Sequence, residues 1–192
     1  MRSSLPFALL AACSMLAGCG STQTPEDSEP LTVNRLYPLA EGQVWSYNVE
    51  TGGDEPPTLA ISRVVAVDGN RYEIQNNRSD AVRYEVRPEG IYAVATESWL
   101  IRNPIEEGRE WPAGSGRTAR IASIDVALDT AAGHFDRCVR VEEGGGRDGR
   151  RIVTIYCPDV GPVVVESSMD AQITGRTATV RAELLGYGST EP

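Results

Sequence analysis

From about Leu36 onward, apolar and polar residues alternate with a period of two, as they do in strands buried on one face. TLAISRVVAVDGNRYEIQ is two such runs around Asp68-Gly69-Asn70, a sequence suited to a tight hairpin turn. AVRYEVRPEGIYAVAT reverses in the same way at Pro88-Glu89-Gly90. RTARIASIDVALD, FDRCVRVEE, RRIVTIYC, GPVVVES and RTATVRAELLGY follow, separated by glycine-rich or Asp/Asn-containing breaks. This gives roughly ten strands and no amphipathic helix. Closely spaced hairpins predict an all-β antiparallel meander that forms a half-barrel, barrel or sandwich. Small residues recur in it (Ala60, Ala66, Ala93, Ala95, Ala122, Ala127), as either an internal cavity or tight strand curvature would require.

The pattern contains an echo. PLAEGQVW at 38–45 returns as PIEEGREW at 104–111. Each copy is followed by a strand of the form S-x-x-V-A-(V/L)-D, starting at Ser62 and Ser123, then by a turn and an aromatic residue, Tyr72 or Phe135. A spacing this long is not a solenoid repeat, so the reading is one β domain of two similar halves, about 36–101 and 102–188. The glycine permits a tight bend, and Trp45 and Trp111 can each cap one end of a core. The functional alternative makes Trp45, Trp99 and Trp111 candidate ligand-contact aromatics.

Residues 1–18 stand outside this domain. Arg2 gives a short positive start, Leu5 to Leu16 an apolar stretch shorter than a membrane span, and Leu16-Ala17-Gly18 precede Cys19. Residues 19–35 read as a flexible acidic tether, leaving 36–188 for the single β domain. The chain of 192 residues has a net charge of −9, and all 18 of its cationic side chains are arginine. An acidic chain has no electrostatic footprint for nucleic acid, and one without lysine has no Schiff-base lysine or Walker A loop.

Two of the four cysteines, Cys13 and Cys19, lie in the N-terminal segment; Cys138 and Cys157 remain as a pair, which in an exported protein means a disulfide. If their hairpin turns between Arg147 and Asp148, the two cysteines oppose each other directly. The competing reading is a metal site of His134, Cys138, Cys157 and Asp159. Residues 134 and 138 would lie about 13 Å apart on a strand, too far for one ion. There is one histidine and no G-x-S-x-G elbow; Ala113-Gly114-Ser115-Gly116 reads as a loop. Glu106-Glu107 and Glu142-Glu143 are adjacent pairs, whose side chains point to opposite faces and read as solvated turn edges. Gly144-Gly145-Gly146 lacks the helix that a phosphate loop needs. The sequence therefore predicts no catalytic residue, metal or cofactor.

Leu16-Ala17-Gly18-Cys19 resembles the lipobox of bacterial lipoproteins. The resemblance implies cleavage before Cys19, a diacylglyceryl group on its thiol and a further acyl chain such as palmitate on its amine. Gly20, where inner-membrane lipoproteins carry Asp, implies an outer-membrane anchor facing the periplasm. The boxes Tyr37-Pro38-Leu39 with Gly42, Trp45 and Tyr47, then Gly133, Phe135, Cys138 and Val141, then Tyr156, Pro158, Val160, Gly161 and Val163 resemble a group of poorly characterised bacterial lipoproteins with secreted β domains. A looser resemblance is to carriers of the lipoprotein-localisation type, which wrap a curved sheet around acyl chains. The expectation is a lipid-anchored, non-catalytic envelope protein that binds a protein partner or scaffolds an assembly. A carrier or sensor of an apolar ligand is the alternative, and a hydrolase or metal-dependent enzyme the third reading.

Overall fold

Hairpin follows hairpin along the chain of the computed structural model, which describes residues 29–171 and 176–190. The first half runs β1 (Gln43–Glu50), β2 (Thr58–Asp68), β3 (Arg71–Asn76), β4 (Val82–Arg87), β5 (Gly90–Ala93) and β6 (Ser98–Arg102). The second runs β7 (Glu110–Pro112), β8 (Thr118–Thr130), β9 (Gly133–Gly144), β10 (Arg150–Cys157), β11 (Gly161–Ala171) and β12 (Arg176–Ser189). All form one antiparallel sheet in the order β6-β5-β4-β3-β2-β1-β12-β11-β10-β9-β8-β7. The fold is all-β, two six-stranded meanders joined where β1 pairs with β12, and the sheet curls into a nearly closed barrel. Its edge strands β6 and β7 are linked by the Trp111 indole, which donates to the Trp99 carbonyl at 3.1 Å. Twelve strands exceed the roughly ten expected, and β1, β6 and β7 are the ones outside the runs named from the pattern; of these, β6 and β7 are the short ones. Five and three residues are too few to display alternation.

The compact unit starts at Leu31, so the predicted tether ends earlier than residue 35. Val33–Leu36 form a single helical turn, α1, with Thr32 as N-cap and Val33 and Leu36 buried. One turn has too few hydrogen bonds to stand alone; burial of its two apolar residues holds it.

The motif boxes meet beside α1. The Tyr37 ring packs edge-on against Trp45 at 5.4 Å and tilted against Tyr156 at 6.1 Å. Trp45 donates its indole N–H to the Val160 carbonyl at 2.6 Å, and the Tyr47 hydroxyl donates to the Pro162 carbonyl at 2.9 Å. Arg35 reaches Asp159 with its guanidinium, Nε to Oδ1 at 3.2 Å, while the Asp159 amide donates to the Arg35 carbonyl at 2.6 Å. The β10–β11 turn, Pro158 to Val160, is thus fastened to α1 and β1. Gly161 is required in this turn: its φ is +110°, and a Cβ would lie 2.9 Å from the Trp45 indole nitrogen.

The disulfide forms between Cys138 and Cys157, with Cα atoms 4.2 Å apart. Val153 pairs with Glu142 and Tyr156 with Val139, the register expected of a turn centred between Arg147 and Asp148.

The echo is a shared turn. Gln43 N–H donates to the Ala40 carbonyl and Arg109 N–H to the Glu106 carbonyl, at 3.1 and 3.2 Å. Gly42 and Gly108 occupy the third turn position with φ of +75° and +85°, as a type II turn demands. Their amides donate to Val64 and Ile121, in each copy two residues beyond the partner of the tryptophan. The second half of the echo slips, however. Trp45 faces Ser62, but Trp111 faces Ala119, four residues short of Ser123. Register shifts along β8 separate the serine match from the structural one.

Trp45→Phe removes a buried donor and leaves the Val160 carbonyl unpaired, so stability should fall by about 1–3 kcal/mol. Urea unfolding should show a lower midpoint with unchanged slope. Replacing both Cys138 and Cys157 with Ala should cost about 3 kcal/mol in the same assay.

Candidate functional site

The acylation site expected at Cys19, with the signal segment, lies outside the described residues. Cys138 and Cys157 are consumed by their disulfide and hold no thiolate for a metal. Trp45 and Trp111, 0% and 2% exposed, offer no surface to a ligand, which corrects the aromatic-platform alternative for both. Their indole N–H groups would be unpaired in an apolar core, and each instead joins parts of the sheet that are not ladder neighbours. Trp99, by contrast, is half-buried and is among the residues that line a cleft between the two halves, so of the three candidate ligand-contact aromatics it alone borders a space a ligand could enter. Its ring meets Tyr92 at 5.1 Å and lies beneath the Arg102 guanidinium at 4.8 Å, while Arg87, over the Tyr92 ring at 4.0 Å, is held by Glu85 at 2.6 Å. Salt-bridging to Arg87 holds the Glu85 carboxyl below the usual range.

His134 sits at the β8–β9 turn, Nδ1 2.7 Å from Asp129 and Nε2 3.1 Å from Asp136. Both ring nitrogens are therefore taken by carboxylates, and among the described residues no three His, Cys, Asp or Glu side chains converge as metal ligands.

Side chains from both halves meet instead in a cleft of about 340 Å³ whose lining includes Tyr84, Ser98, Leu100, Arg117, Glu143 and Ile152. Arg117 follows the short 3-10 turn Gly114–Gly116 and pairs with Glu143 at 3.2 Å and Asp148 at 3.3 Å. The side chains of Arg117 and Glu143 are only 12% and 15% exposed. Glu142 and Glu143 do point to opposite faces, Glu142 outward to Arg140 and Arg151. Glu143 nevertheless corrects the turn-edge reading: the β9–β10 ladder pairs it with Ile152 and carries it into the cleft. Ser98 is buried with its hydroxyl 2.8 Å from that of Thr96. Burial pushes the Tyr84 phenol above its ordinary 10. Of the small residues in the sequence pattern, Ala93 and Ala95 line this cleft, while Ala66 and Ala127 are exposed.

A second cleft of about 410 Å³ opens along the glycine-rich β9–β10 turn, with Arg120, Arg150 and Arg151 beside Glu110 and Glu142. In both clefts the charged groups stand among opposite charges. The first has the size and mixed lining to seat a small ligand. Arg117, Ser98 and Tyr84 were not legible as site residues. Nothing in their local spacing marks them, and strands far apart in the chain bring them together.

No family model and no curated protein matches the sequence. Two crystal structures are similar to the chain. One is a Bacteroides fragilis protein described as a "putative exported protein with YmcC-like fold", 12% identical, covering 80% of this chain and 98% of its own, with a TM-score of 0.49. The other is a Parabacteroides distasonis "putative lipoprotein", 14% identical over the same shares, with a TM-score of 0.43.

The hydrogen bond to Asp129, then the Asp136 and Asp129 charges, raise the His134 pKa above its ordinary 6.5. A raised folded-state value means that this stabilisation is complete below 6.5 and is lost as pH climbs through the folded value. The chain has one histidine, so its ring resonances titrate unambiguously by NMR. The midpoint should lie above 6.5 and fall back toward it in Asp129→Asn/Asp136→Asn; equal midpoints would refute the pairing.

Proposed function

We propose that this protein is an envelope lipoprotein, acylated at Cys19 and held at the periplasmic face of the outer membrane, whose β domain binds a protein partner without catalysing a reaction. Export is supported by the Leu16-Ala17-Gly18-Cys19 sequence and by a disulfide of the kind that persists in oxidising compartments. The observation that carries the binding-module reading is the filling of the barrel beside α1. Leu36, Tyr37, Trp45 and Tyr156 occupy that interior at 0–8% exposure, where a carrier would need open apolar space for acyl chains. In the cleft, Arg117, its buried cation, is balanced by two carboxylates, an arrangement that supports a structural role for this charge.

Cell fractionation tests the anchor. The natural chain should sediment with outer membranes, and Cys19→Ala should leave them; mass spectrometry should place diacylglyceryl and acyl groups on the residue-19 peptide. A natural chain recovered in the soluble fraction without acyl mass would defeat the lipoprotein reading. For the interior, native mass spectra before and after organic extraction should be identical. Lipid mass that extraction removes would establish the carrier alternative.

A further inference from the structure

The outward row of β2 is unusual for an acidic chain of net charge −9. It alternates with Ala60, Ser62 and buried Val64, and it presents Leu59 and Ile61 at 60% and 37% exposure. Opposite them on β1 stand Asn48 and Ser46, both uncharged. Arg63 continues the row beside Gln75, and a hollow of about 270 Å³ lies between Ile61, Arg63, Gln75, Asn77 and Arg78. The Arg78 turn is fixed there by Asn77, whose amide donates to the Ile61 carbonyl at 2.6 Å and whose Oδ1 accepts from the Ile61 amide at 2.8 Å. Arg71, Arg83 and Arg87 on neighbouring strands pair with Glu85 or Glu73. Among the described residues, Arg63 and Arg78 have no carboxylate within ion-pair distance. The hollow has no acid in its lining; Glu50, whose carboxylate accepts from the Asn48 amide at 3.4 Å, ends β1, and Asp54 and Glu55 lie in the loop beyond it.

We infer that this face docks on an anionic lipid surface, the headgroups of the bilayer that holds the acyl anchor; the inference rests on the lipoprotein reading above. Two arginines free of protein carboxylates complement phosphate headgroups, and two exposed aliphatic side chains suit the boundary beneath them. The length of chain before the domain favours this occupant. Eleven residues, Gly20 to Pro30, separate Cys19 from Leu31. At full extension they reach at most about 40 Å, so an anchor at Cys19 keeps the bilayer within reach of the domain. Tethering raises the local concentration of the surface, and a weak patch then suffices.

The test uses the full chain with Cys19→Ser, so that no acyl group contributes, and vesicles of phosphatidylcholine alone or mixed equally with phosphatidylglycerol. Co-sedimentation should require the anionic lipid and weaken with salt. Arg63→Gln and Arg78→Gln should each lower partitioning roughly fivefold. Leu59→Ser with Ile61→Ser should lower it about tenfold. All four positions are exposed, and an intact disulfide by non-reducing mass checks the fold of each variant. A chain that stays in the supernatant, binds both vesicles equally, or binds unchanged in the variants overturns the inference. A dimer in sedimentation equilibrium that Leu59→Ser/Ile61→Ser dissolves also overturns it and assigns the face to a second copy. Because acylation is read separately at residue 19, loss of the anchor reading and loss of the docking reading give different results.

Discussion

The fold depends on holding the β10–β11 turn against β1. These segments are not ladder neighbours, since β12 and β11 lie between them in the sheet. An antiparallel meander fixes only adjacent strands, and its curl must come from contacts that skip strands. The Trp45 indole supplies one by bonding the Val160 carbonyl, the Tyr47 hydroxyl supplies a second at Pro162, and α1 a third through Arg35 and Asp159. Each satisfies a polar group that would be costly to bury alone. The disulfide at Cys157 then ties the same turn to β9. One end of the barrel is consequently both closed and filled.

At the opposite seam the sheet never completes its ladder. β6 and β7 remain edges, and the Trp111 bond to the Trp99 carbonyl stands where strand pairing would otherwise be. The two tryptophans of the echo therefore perform the same physical task at different places. Each offers a large apolar ring to the core and one N–H to a carbonyl of a segment outside its own hairpin. Repetition of the turn before them delivers both rings with the same geometry, because a glycine at positive φ three residues earlier sets the direction of the strand.

Charge is distributed by a different rule. Many of the arginines on the outer faces of β3, β4, β9, β10 and β12 stand beside a glutamate on the same or the neighbouring strand. Exposed pairs of this kind contribute little individually to stability. They do neutralise cations that would otherwise bind anions, so the row from Leu59 to Arg63 with Arg78 differs from its surroundings in chemistry, with the sheet geometry unchanged.

Local pattern determined much of this protein by itself. Period-two alternation and hairpin residues fix all-β class and antiparallel order, because both depend on neighbours within a few positions. The Cys138–Cys157 register was legible for the same reason: two strands joined by one short turn can be aligned by counting outward from it. Short strands such as Glu110–Pro112 gave too little periodicity to be seen. The helical turn Val33–Leu36 was missed because only the core it fills stabilises it. Glu143 was misread as solvated, since its partner Arg117 is 26 residues away. Closure of the sheet, burial of Trp45 and Trp111, and assembly of the cleft around Tyr84, Ser98 and Arg117 were decided by tertiary structure alone. They depend on accumulated twist and on contacts between distant strands, which no local window contains.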